Sequence, residues 1–82
     1  MKYWVYILYS RHLDKYYVGS TKDIEGRLQR HLATHKGFTS HAKDWVLKYQ
    51  ESFGTKSEAV KREFQIKKWK SREMIERLIG QS

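Results

Sequence analysis

Residues 3–9 read Tyr-Trp-Val-Tyr-Ile-Leu-Tyr, a run of β-favouring side chains that is apolar at odd and even positions alike. Such a run predicts a strand covered on both faces. The polar, turn-like stretch 10–15 interrupts it, and Tyr16-Tyr17-Val18-Gly19 predicts a second strand. A connection this short predicts an antiparallel hairpin. From Asp23 the apolar spacing changes to four, with Ile24, Leu28 and Leu32 in step. An amphipathic helix is expected there to about position 34, with Thr21 or Asp23 as its N-cap. Gly26 in its first turns costs about 1 kcal/mol relative to Ala and predicts a close neighbour at that point.

Residues 35–44 are polar, contain glycine and lack periodicity, so they read as a loop. Residues 45–51 alternate and predict a third strand with Trp45, Leu47 and Tyr49 on one face. Thr55 and Glu58 have the spacing of a capping box, opening a helix whose apolar side carries Ala59, Val60, Phe64, Ile66 and Trp69. Ser71 predicts the N-cap of a last helix, with Met74, Ile75, Leu78 and Ile79 on one side and Gly80 at its C-terminal end. The order β-β-α-β-α-α, without repeat or low-complexity tract, gives an α+β fold with the first strand central.

Eighty-two residues hold a single domain, expected to span the whole chain, and the three Trp, six Tyr and three Phe supply a modest aromatic core. The lack of cysteine excludes disulfides, thiolate catalysis and cysteine-ligated zinc, and makes a cytoplasmic setting the default. No apolar run approaches the roughly 18 residues of a membrane span, so a soluble, unprocessed chain is expected. Seventeen Lys and Arg against nine Asp and Glu leave a formal charge of +8. A polyanion is the first partner this suggests; an anionic membrane is second, since the basic residues are spread along the chain and not gathered on one long helix.

Some residues sit awkwardly in a purely structural account. Glu63 lies four after Ala59 and three before Ile66, within the apolar stripe of its helix. It either reaches solvent at the margin or meets an arginine, a metal ion or a water-filled cleft, because an unpaired buried charge costs several kcal/mol. Arg27 and His31 stand one helical turn apart beside Leu28 and Leu32. They suit phosphate binding and proton exchange, and a solvated basic helix face equally well. Tyr6 in the first strand, with Tyr16 and Tyr17 in the second, brings phenols within reach of one cleft, though core packing is the commoner use of tyrosine.

Taken in order, Val5-Tyr6, then Tyr17-Val18-Gly19-Ser20-Thr21, then Arg27 and His31, then Glu63 in Glu58-Ala59-Val60-Lys61-Arg62-Glu63, this series resembles the GIY-YIG nuclease domain. It is most similar to the small stand-alone branch and to the N-terminal nuclease module of excinuclease C. The resemblance runs over residues 2–79. It implies a three-stranded antiparallel sheet flanked by helices, and metal-dependent hydrolysis of DNA phosphodiester bonds, in repair or recombination. It implies that Tyr6 activates the attacking water, Tyr17 shapes the site, Arg27 stabilises charge on the phosphate, His31 is their neighbour and Glu63 holds a single divalent cation, Mg²⁺ or Mn²⁺. Trp4 stands where the first motif has glycine, Val18 replaces isoleucine, and the asparagine of many members has no match. Two alternatives stay open beside the nuclease: a non-catalytic nucleic-acid-binding module, and a nuclease subunit whose target a partner protein chooses. DNA is the expected partner, and RNA remains open.

Overall fold

The central strand explains the first apolar run. In the computed structural model, which describes residues 2–33 and 44–81 with residues 30–33 as backbone only, β1 (Tyr3–Ser10) lies between β2 (Lys15–Thr21) and β3 (Val46–Phe53). The sheet order is β2-β1-β3 and both pairings are antiparallel. Val5, Tyr6, Ile7 and Leu8 are all buried, because helices cover both faces of the strand that carries them. On one face Val5, Ile7 and Val18 pack with Ala59 and Ile66 of α2 (Lys56–Trp69) and Leu78 of α3 (Arg72–Gly80). On the other, Tyr6, Leu8 and Trp45 pack with Ile24 and Leu28 of α1 (Ile24–Ala33). The fold is the expected α+β arrangement in the order β-β-α-β-α-α.

Each helix starts at a side-chain cap. Asp23 Oδ1 accepts from Gly26 N at 3.1 Å, Thr55 Oγ1 from Glu58 N at 3.2 Å, and Ser71 Oγ from Met74 N at 3.3 Å. Gly26 has the close neighbour its cost implied: a Cβ there would stand 2.4 Å from Asp23 Oδ2, so the capping carboxylate itself needs the space. The β1–β2 hairpin turns through Asp14 at φ 52, a conformation the short polar side chain of aspartate tolerates.

Three expectations need correction or narrowing. Trp45 and Leu47 share a face, but Tyr49 lies on the other: Leu8 pairs with Leu47 while Ile7 pairs with Tyr49, so a bulge at Lys48 resets the alternation. Phe64 is 56% exposed and Met74 is exposed, because α2 and α3 bury narrower stripes than their apolar residues allow. Gly80 ends α3 without the left-handed cap that glycine often provides; Gln81 follows in right-handed geometry. The loop read over residues 35–44 falls outside the described residues except for Asp44, as does the Leu32 side chain. Asp44 clasps the far end of β1, accepting from Ser10 Oγ at 2.6 Å and His12 N at 2.9 Å.

The stripe on α2 is testable by contrast. Ile66→Val should lower unfolding free energy by about 1 kcal/mol, whereas Phe64→Ala should change it by less than about 0.5 kcal/mol. Denaturant unfolding of both variants checks the assignment, and equal effects would refute it.

Candidate active site at the edge of β2

Strand alternation decides which side chains can meet. Along β2, Tyr17 and Gly19 face α1, while Val18 and Ser20 face α2. Tyr6 is the cross-strand partner of Gly19, and its ring lies across that residue. A Cβ on Gly19 would stand 2.5 Å from Tyr6 Oη, 2.7 Å from Tyr6 Cζ and 3.1 Å from Tyr17 Cε1. Glycine is therefore required here for space: without it the phenol could not reach the outer edge of the sheet. Tyr17 flanks it, with ring centroids 6.3 Å apart, and is itself braced edge-on by Trp45.

Glu63 approaches the same edge from the opposite face. Ala59 and Ile66 anchor α2 on the sheet, which directs the residue between them toward β2. Its side chain is only 15% exposed and is held at both oxygens: Ser20 Oγ donates to Oε1 at 2.6 Å, and Lys67 Nζ sits 2.6 Å from Oε2. The partner that the apolar stripe demanded is thus a hydroxyl and an ammonium. The i+4 spacing puts Lys67 beside Glu63 and could have been read from the sequence, whereas Ser20 meets Glu63 only because α2 packs over that face of β2.

Arg27, four residues after the cap Asp23, is exposed on α1 and makes no ion pair among the described residues. It lines a cleft of about 560 Å³ with Ser20, Lys22 and Lys56, where β2 ends and α1 and α2 begin. Its charge acts on Tyr6, as does that of Glu63. The Tyr6 phenol is 2% exposed, and burial is the main cause that holds its pKa well above the usual tyrosine value. Tyr17 and Glu63 push the same way, and Arg27 opposes them. Tyr6, Tyr17, Arg27 and Glu63 are therefore gathered around Gly19 and Ser20. His31 lies one turn beyond Arg27 on α1, with its side chain outside the described residues.

The family model of the GIY-YIG catalytic domain matches residues 2–76. This chain belongs to the GIY-YIG family. Two relatives are UPF0213 proteins: one from Staphylococcus haemolyticus, 41% identical over 68 residues, and one from Staphylococcus saprophyticus, 40% identical over 67, each alignment covering 80% of both chains. The solution structure of a UPF0213 protein from Bacillus halodurans superposes with a TM-score of 0.64 at 27% identity, covering all of this chain and 86% of that one. Trp4 is the residue that stands where the resemblance expects the first-motif glycine. It is a regular strand residue paired with Thr21 and Ser52, and the Lys2 ammonium lies 5.8 Å from its ring centroid. Tryptophan in place of the motif glycine needs no unusual backbone here.

Two outcomes follow. Gly19→Ala should destabilise the fold by about 1–3 kcal/mol through overpacking against Tyr6, while Gly54→Ala, which meets nothing within 4 Å, should stay near neutral in the same denaturation assay. Because Tyr6 holds its proton more tightly folded than unfolded, its contribution is intact below about pH 10 and is lost as pH rises beyond that. Wild type should then lose stability more steeply than Tyr6→Phe above pH 10, by up to about 1.4 kcal/mol per pH unit. Parallel curves for the two proteins would contradict the burial of a protonated phenol.

Proposed function

We propose that this chain is a divalent-cation-dependent endonuclease that hydrolyses DNA phosphodiester bonds at the outer edge of β2. The observation that carries the reading is the convergence of Tyr6, Arg27 and Glu63 on Gly19 and Ser20, beside a cationic cleft large enough for a backbone phosphate. Membership of a nuclease family fits the same reaction class.

Arg27 offers a planar fork of donors to the phosphate oxygens, where charge accumulates as the bond breaks. Tyr6 Oη takes the proton of the attacking water as phenolate, a form favoured by Arg27 and opposed by burial. Tyr17 fixes the plane of Tyr6, and His31, one turn from Arg27, serves as a further proton-exchanging group. Glu63 is the residue suited to a cation. Its carboxylate already draws an ammonium, and that partner is 46% exposed and so able to give way. Among the described residues no trio of His, Asp and Glu gathers elsewhere as a fuller cage. A single carboxylate fits Mg²⁺ or Mn²⁺, which keep several waters and take other contacts from phosphate. Bound there, the cation supplies positive charge beside the reacting phosphate.

A cytoplasmic setting belongs to the same reading; no helix among the described residues is long and apolar enough to cross a membrane. The non-catalytic binding module has one observation in its favour, the Lys67 ammonium seated on Glu63.

Cleavage assays with labelled DNA separate the two. Wild type should cut with Mg²⁺ and stop in excess chelator. Tyr6→Phe should lower the rate by a factor of about 100 to 10,000 with little change in DNA affinity, and Glu63→Gln should abolish metal-dependent cutting while folding and binding persist. The wild-type rate should climb with pH through the neutral and alkaline range, because the working base is a phenol of raised pKa, and Tyr6→Phe should flatten that rise. No cleavage of any substrate with any divalent metal hands the chain to the binding-module reading.

A further inference from the structure

A second cleft lies on the α2–α3 side of β2. Its volume is about 470 Å³, its floor is apolar at Val18 and Ile75, and its rim carries Lys15, Lys67, Lys70 and Arg72. The one acid that lines it, Asp14, is committed to Arg72, whose Nη2 lies 2.7 Å from Asp14 Oδ1. Arg72 also bonds Glu76, so its charge is balanced within the fold. Lys70 makes no ion pair among the described residues, so its charge is available at the rim.

We propose that this cleft is a second seat for a nucleic-acid backbone phosphate, with Lys70 as its principal cation. The inference rests on the nucleic-acid reading given above and names where the strand continues beyond the reacting phosphate. One observation carries it besides the charge of the rim. Glu63 links the two clefts: Ser20, which holds Oε1, lines the cleft of Arg27, and Lys67, which sits on Oε2, lines this one. A backbone that places one phosphate beside Arg27 and Glu63 therefore has a cationic seat on the other side of Glu63. Lys70 also occupies a position that the fold alone would give to glycine. It caps α2 in the left-handed region at φ 47, ψ 33, a conformation that costs a side-chain-bearing residue about 1–2 kcal/mol. Lys70→Gly therefore removes the cation without straining the turn.

Lys70→Gly tests this, because it removes the cation while easing the backbone. Affinity for a labelled DNA duplex should fall several-fold, and the slope of log affinity against log salt between about 50 and 200 mM should shrink by about 0.9. The melting temperature should hold or rise. Lys70→Arg, which keeps the charge, should bind as wild type does. Unchanged affinity and slope in Lys70→Gly overturn the second seat while a steep wild-type slope leaves the nucleic-acid reading standing. Binding as weak in Lys70→Arg as in Lys70→Gly also overturns it, since the cation is then not what matters. A flat salt dependence in wild type itself overturns both.

Discussion

The space above Gly19 can hold a Cβ or the Tyr6 phenol, but not both. Because it holds the phenol, a side chain rooted in the buried central strand crosses Gly19 toward the outer edge of the sheet while staying buried itself. Everything else at the site is arranged around that crossing. Tyr17 stands beside the ring on the same face, and Ser20, one residue further, turns to the opposite face and fastens Glu63. The edge strand thus joins two faces of chemistry across a single peptide unit. A central position for β2 would close that edge with a further strand.

Precision at the edge depends on the caps as much as on the core. A small sheet with three short helices has little apolar area to fix helix rotation. Instead, Asp23, Thr55 and Ser71 set where each helix begins, and on α1 and α2 the candidate site residues follow at fixed offsets. The first backbone bond of α1 runs from Arg27 N to Asp23 O at 3.0 Å, so the arginine sits on the turn its cap defines. On α2, burial of Ala59 and Ile66 then fixes the azimuth of Glu63.

Much of this was legible in the sequence because the signals were local. The doubly apolar run of residues 3–9, the Thr55–Glu58 box and the Ser71 cap each depend on a few neighbours and gave the right elements. The awkward place of Glu63 in an apolar stripe was also readable, since helix spacing alone puts it there. What failed depended on tertiary context. The bulge at Lys48 leaves alternating polarity intact while moving Tyr49 to the other face, so periodicity cannot reveal it. Phe64 looks like core by type, but its face of α2 has no element over it among the described residues. The need for glycine at position 19 was visible only as part of a motif; its cause is a ring from another strand.

Charge follows a different logic from fold. Asp14, Asp23, Asp44, Glu51, Glu58, Glu63, Glu73 and Glu76 each accept a hydrogen bond within the fold, as caps, clasps or ion-pair members. The acids are thus almost entirely engaged in structure. The cations outnumber them, and Lys22, Arg27, Lys56 and Lys70 line clefts without an ion pair among the described residues. Surplus like charge gives the compact state only self-repulsion. None of these four joins an ion pair that holds the fold among the described residues, and Lys70 adds a backbone penalty. Their position around the edge of β2 suits the proposed nucleic-acid partner, since a polyanion lying along that edge would turn their mutual repulsion into binding free energy by releasing counterions.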